Sequence, residues 1–248
     1  MKILALIPAR MGSSRFPGKP LAKILDKPMI EHVYKNVEKC ELLTKTVVAT
    51  CDEEIFDFIK SINGQVVMTS DQHERASDRC AEALAVLEQD DNVRYDIVVM
   101  VQGDEPMTHP DMITEALTPM LENPEIVVTN LMGDISSDDE FDDRNCIKVV
   151  CDLKNNALCF SREPIPTRRF GNIPMKKQVC VIPFTREFLL QYTRLSPTPL
   201  EIAESVDMMR VLEHGEKVKM VPTKHQTYPV DTESDLTRVE ELMQKKIN

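Results

Sequence analysis

The chain has 248 residues, 42% of them hydrophobic, enough to bury one sizeable core. A formal net charge of -11 excludes a general nucleic-acid binder, which needs a basic face against phosphates, so an anionic ligand would have to meet a local basic pocket. Seven scattered cysteines form no CxxC pair, no secretory leader opens the chain, and no apolar stretch reaches the ~18 residues of a membrane span. These features predict a cytoplasmic protein with neither a disulfide framework nor a zinc site, without membrane insertion.

The chain opens on Ile3-Leu4-Ala5-Leu6-Ile7, an aliphatic run bounded by Pro8 that suits a strand buried on both faces of a parallel sheet. The next residues, Arg10 to Lys19, combine Gly12, the hydroxyls Ser13 and Ser14, and the cations Arg10, Arg15 and Lys19. A loop of this composition after a first strand suits a polyphosphate, because ligands of open α/β sheets bind beyond the carboxyl ends of the strands. Residues 28–37 carry Ile30, Val33, Tyr34 and Val37 at helical spacing. Residues 46–50 read as a short β-branched strand, with Asp52 as the cap of a helix running to Lys60. Residues 65–68, a helix carrying Ala81, Ala83, Leu84 and Leu87, the apolar run 96–101 and a helix over 111–118 continue the alternation. Strands alternating with helices predict a doubly wound sheet with right-handed crossovers.

From about residue 125 the pattern shifts. Strands are predicted at 126–130, 146–150 and 157–161, with antiparallel pairing that makes the sheet mixed. The acid-rich residues 134–143 read as a solvated loop; they lack the central glycine and terminal glutamate of an EF-hand. Pro164, Pro166 and Pro174 mark an irregular excursion, followed by a strand over 178–183, helices over 188–192 and 202–213, and a strand over 217–221. An amphipathic helix capped by Asp231 or Thr232 runs through Met243.

Asp104 follows the apolar run 96–101 and so falls at the same sheet edge as the cationic loop. Asp231 stands where an apolar segment meets a helix, a position that spacing alone assigns first to an N-cap. Two carboxylates facing a polyphosphate would suit Mg²⁺, which takes one or two carboxylates and completes its shell with phosphate oxygens and water. The Walker pattern fails: one residue too many separates Gly12 from Gly18, and Pro20 follows Lys19. No GxGxxG follows the first strand either, which leaves nucleotidyl transfer as the common chemistry of a cationic loop with Mg²⁺.

The segments Ile7-Pro8-Ala9-Arg10, Ser13-Ser14-Arg15-Phe16-Pro17-Gly18-Lys19-Pro20-Leu21, Val101-Gln102-Gly103-Asp104-Glu105-Pro106, Phe160-Ser161-Arg162, Arg210-Val211-Leu212 and Val230-Asp231-Thr232 resemble the 3-deoxy-manno-octulosonate (Kdo) cytidylyltransferases. The matches run in order along nearly the whole chain. The resemblance implies a Rossmann-like three-layer α/β/α fold with a mainly parallel mixed sheet, of the nucleotide-diphospho-sugar transferase kind. It implies one domain over 1–248, in which an inserted region at about 145–195 serves a homodimer. The implied reaction moves CMP from CTP to the anomeric hydroxyl of a 3-deoxy-2-ulosonic acid and releases pyrophosphate, for lipopolysaccharide or capsule synthesis.

Carried onto matching positions, Arg10, Gly12, Ser13, Arg15, Lys19 and Ser77 would hold the nucleotide, with Arg10, Lys19 and Asp104 carrying the chemistry. Asp104 and Asp231 match the metal-binding aspartates and imply Mg²⁺, while Gln102, Arg79 and Arg162 would face a small anionic acceptor. The chain departs from the family at three places, one of them Cys51, which stands where an aspartate commonly follows Ala-Thr. Arg75-Ala76-Ser77-Asp78-Arg79 stands for the usual Ser-Gly-Thr-Glu-Arg and adds Arg75 as an acceptor candidate, and Gln178 replaces a histidine on a strand that lacks two tyrosines. These departures predict an acceptor that is Kdo, a modified Kdo, another acid sugar or a phosphonate, with a non-catalytic nucleotide sensor as the alternative.

Overall fold

The computed structural model describes residues 1–13, 15–171 and 173–247. Two compact units emerge, residues 1–114 with 227–248 and residues 115–226.

The first unit is the predicted βα alternation. It contains β1 (Ile3–Ala9), β2 (Lys23–Ile24), β3 (Lys27–Pro28), α1 (Met29–Val37), β4 (Lys45–Thr50), α2 (Glu53–Ser61), β5 (Val66–Met68), α3 (Ala76–Asp91) and β6 (Ile97–Val101), followed by α4 (Pro110–Glu122). Parallel β1 lies between β6 and β4, and β5 follows β4. Leu4, Ala5, Leu6 and Ile7 are fully buried, as a strand covered by helices on both faces requires. The β1–β4 register ends on the pair Ala9↔Thr50, so both chains leave the sheet at the same level.

The second unit holds β7 (Thr129–Asp134), α5 (Asp138–Asp142), β8 (Lys148–Cys151), β9 (Ala157–Ser161), β10 (Lys176–Val179), β11 (Val181–Thr185), α6 (Arg186–Tyr192), α7 (Pro199–Glu204), α8 (Asp207–Glu213) and β12 (Lys219–Pro222). The order β12-β7-β10-β8-β9 is a mixed sheet in which β12 runs parallel to β7 and the other pairs are antiparallel.

Several sequence expectations are corrected here. The strand expected at 126–130 runs over 129–134 instead, because its polar residues find partners inside: Thr129 Oγ1 donates to Ala116 O (2.7 Å) and buried Asn130 Nδ2 to Val179 O (2.7 Å). The strand expected over 178–183 divides at Cys180 into β10 and β11. The helix expected over 202–213 breaks at Ser205, whose left-handed backbone (φ 52°) separates α7 from α8. The acid-rich loop contains α5, capped by Ser137 Oγ accepting from Glu140 N (3.1 Å).

The chain then re-enters the first unit as α9 (Glu233–Ile247). Thr232, not Asp231, caps it: Thr232 Oγ1 accepts from Asp235 N (3.3 Å) while Asp235 Oδ2 accepts from Thr232 N (2.8 Å). Val230 and Val239 pack with Ile24 and Met29, and Phe16 lies against this cluster, which seats the segment before α9 beside the cationic loop. No helix among the described residues is long and apolar enough to cross a membrane.

Candidate nucleotide and metal site

The loop from Arg10 to Lys19 is closed on itself. Met11 O accepts from Gly18 N (3.0 Å), Ser13 Oγ accepts from Phe16 N (3.3 Å), and Gly18 takes a left-handed backbone (φ 75°) that side chains rarely adopt. A Cβ added at Gly12 would meet nothing within 4 Å, so the loop's crest is open to a ligand. Asp52 does not cap α2 with its side chain, as its position suggested; its Oδ2 accepts from Met11 N at 2.8 Å. The loop holds that carboxylate because Met11 and Asp52 each lie two residues beyond the last β1–β4 pair.

Four sequence-predicted residues meet at one point. Lys19 Nζ donates to Asp104 Oδ2 (2.8 Å), Val230 O (2.9 Å) and Asp231 Oδ1 (3.3 Å), and Arg15 Nη2 donates to the same Asp231 oxygen (2.8 Å). Gly103 makes the approach possible: a Cβ there would lie 3.1 Å from Pro8 O and 3.2 Å from Ile30 Cδ1, so a larger residue would push the end of β6 away from β1. Val230 N then donates to Asp104 O (2.9 Å), which ties the two aspartate-bearing segments together. Burial works against the Lys19 ammonium, but Asp104 and Asp231 outweigh it and hold its pKa above the ordinary lysine value.

This donor set tests a magnesium assignment. Two carboxylates and a carbonyl converge on a single cation, and all three are the hard oxygens that Mg²⁺ prefers. The residues fit the ion, with the ammonium of Lys19 now at their centre.

The remaining candidates separate by unit. In the first, exposed Arg10 makes no hydrogen bond or ion pair among the described residues, and half-buried Gln102 stands just past β6. Arg75 and fully buried Ser77 flank the start of α3. Arg79 is only 3% exposed; its Nη1 donates to Thr69 Oγ1 (2.5 Å) and Ser70 O (3.2 Å), while buried Nη2 has no partner among the described residues. An unmade bond on a buried guanidinium costs roughly 1–3 kcal/mol, which a ligand oxygen would recover.

In the second unit, Arg162 is engaged with backbone: Nε donates to Glu204 O (2.6 Å) and Nη1 to Arg144 O (3.0 Å). Gln178 Nε2 donates to Asn130 Oδ1 (2.6 Å). Lys148, fully buried, gathers the carbonyls of Asp143, Cys146 and Arg162 at 2.7, 2.8 and 2.7 Å, and burial lowers its pKa. Sequence reasoning did not find Lys148, Asn130, the Val230 carbonyl or the loop-holding role of Asp52. For Asp52 a signal existed in the matched offsets of Met11 and Asp52 after paired strands.

Fold and site together define a class: α/β proteins whose first strand ends in a cationic loop facing carboxylates on neighbouring segments. A 4-diphosphocytidyl-2C-methyl-D-erythritol synthase from Anaerococcus prevotii, 12% identical, shares the fold with a TM-score of 0.66 over 98% of this chain and 96% of its own. A solved CMP:2-keto-3-deoxy-manno-octonic acid synthetase complexed with CTP is 34% identical, with a TM-score of 0.89 over 99% of this chain and 100% of that one. Residues 4–218 match the cytidylyltransferase family. The 3-deoxy-manno-octulosonate cytidylyltransferase of Geobacter metallireducens is 41% identical over 99% of both chains. The chain belongs to the 3-deoxy-manno-octulosonate cytidylyltransferase family.

Proposed function

We propose that this protein transfers CMP from CTP to the anomeric hydroxyl of Kdo or a modified Kdo and releases pyrophosphate, using Mg²⁺. The observation that carries the proposal is the full-length relationship to enzymes of that name, at 41% identity. The Lys19, Asp104 and Asp231 cluster supports the metal. Arg10, Ser13, Arg15 and Lys19 bind the triphosphate and offset charge that grows on the departing pyrophosphate. Asp104 and Asp231 would hold the Mg²⁺, which when bound would supply positive charge for phosphoryl transfer and could lower the pKa of an attacking hydroxyl. Gln102, Arg75 and Arg79 recognise the acceptor, whereas Arg162 and Gln178 are engaged inside the second unit.

The protein works in the cytoplasm, in lipopolysaccharide or capsule synthesis, as a homodimer. Leu153, Leu158, Phe170 and Ile173, all exposed and all within residues 145–195, supply the apolar surface that supports such a dimer.

Pyrophosphate release from CTP, measured against a panel of Kdo, modified Kdo, other acid sugars and phosphonates, tests the reading. Turnover with a Kdo-type acid that requires Mg²⁺ is expected, and Asp104→Asn should lower kcat on the order of a thousandfold while the fold persists by circular dichroism. Absence of turnover with every acid in the panel would overturn the acceptor assignment; full activity of Asp104→Asn would overturn the metal assignment.

A further inference from the structure

The phosphate-binding reading leaves one group unexplained. Asp52 places a carboxylate against a loop whose task is to hold an anion, where it can only repel the ligand.

Its contacts explain why it is there. Oδ2 accepts from Met11 N at 2.8 Å, and the Cys51 thiol points at the same oxygen at 3.6 Å. The Asp52 backbone is itself fixed, N donating to Thr50 Oγ1 (3.1 Å) and O accepting from Phe56 N (3.1 Å). Thr50 is fully buried at the end of β4 and pairs with Ala9, so Asp52 stands on the rigid part of the sheet. Met11 is also the closing point of the loop through Met11 O and Gly18 N. One carboxylate therefore joins the β4–α2 turn to the residue that closes the loop of Arg10, Ser13, Arg15 and Lys19.

We propose that Asp52 is a positioning residue for CTP: it extends the β1–β4 ladder by one side-chain bond and fixes the loop in its phosphate-binding form. The inference rests on the CTP reading above. A bond to an ionised acceptor is roughly twice as strong as a neutral one, so the charge secures the loop at the cost of some repulsion. An Asn keeps the acceptor oxygen and removes the charge; an Ala removes both.

Steady-state kinetics with CTP varied and then acceptor varied, calorimetric CTP binding, and amide exchange of residues 11–18 in nucleotide-free protein test this directly. Asp52→Ala should raise the KM for CTP by about tenfold or more, leave the KM for acceptor within about twofold, and speed exchange over the loop. Asp52→Asn should restore the KM for CTP to within about threefold of the starting protein. Equal impairment of both variants, parallel loss in both KM values, or an Asp52→Ala protein with unchanged CTP affinity would each overturn the proposal. If the unsubstituted protein bound no CTP, the functional reading would fail along with it; normal CTP binding with an insensitive Asp52 would sink this inference alone.

Discussion

The cations of the candidate site in the first unit differ from two cations of the second, Arg162 and Lys148. In the first, Arg15 and Lys19 sit on carboxylates, while Arg10 has no partner and Arg79 keeps one buried N–H unbonded among the described residues. In the second, Arg162 and Lys148 are occupied by main-chain carbonyls, three of them on Lys148 alone. The contrast teaches that a cationic side chain can keep a donor available to a ligand or spend its donors on internal scaffolding. A carboxylate partner can be exchanged for a phosphate, whereas a buried main-chain carbonyl that loses its donor is left unpaired at a cost in stability.

Substitution at the centre of the first unit should have the largest effect. Lys19→Met is expected to lower kcat/KM for CTP by about a hundredfold or more, since a cation on the triphosphate is lost. The same variant should bind Mn²⁺ more tightly without nucleotide, because Asp104 and Asp231 then have no ammonium between them. Electron paramagnetic resonance reads that binding directly, and weaker binding would contradict the shared-cage geometry.

Arg10→Ala comes next. It should raise the KM for CTP by about tenfold with no change in melting temperature, since the guanidinium bonds to nothing among the described residues. A large drop in melting temperature would place Arg10 with the scaffolding residues.

In the second unit the balance reverses. Asn130→Ala removes the amide that binds Val179 O and accepts from Gln178, and should cost about 2 kcal/mol in urea unfolding while leaving the KM for CTP unchanged.

The smallest effect is a pH dependence. Burial alone would raise the Glu140 pKa, but Lys177 and the Ser136 donors reverse this and hold it below the ordinary 4.5. A depressed folded-state value means that its contribution is complete above pH 4.5 and disappears as pH falls through the folded value. Glu140→Gln should therefore flatten the acid side of the melting-temperature profile, by about 1 kcal/mol or less for a partly exposed pair. An unchanged slope below pH 4.5 would remove this pair from the acid response.

How far the sequence could be read follows from the range of the interactions. β1, β4, β5, β6 and the helices between them were legible, because aliphatic runs and helical spacing express burial locally. The second unit was less so. Thr129 and Asn130 begin a strand that a hydrophobic pattern places three residues early, since their side chains are satisfied by Ala116 and Val179 rather than by water. Ser205 takes a left-handed backbone that no local pattern signals, and so one predicted helix became two. At the site, composition picks out Arg10, Ser13, Arg15 and Lys19, a strand end picks out Asp104, and the family motif picks out Asp231 where spacing alone favours a helix cap; Asp52 reads only as a cap. The structure turns both carboxylates toward the loop and gives the capping of α9 to Thr232 and Asp235.

By itself, then, the sequence determined the βα order, the cations gathered after the first strand and the family, because each is written in neighbouring residues or in ordered motifs. Tertiary structure alone decided that Lys19 meets a carboxylate 85 positions away and another 212 away, and that Asp52 holds Met11. Those contacts depend on strand register and on the close approach at Gly103, and the side-chain alternatives differ by only about the 1–3 kcal/mol of one charged hydrogen bond, too little for local pattern to resolve.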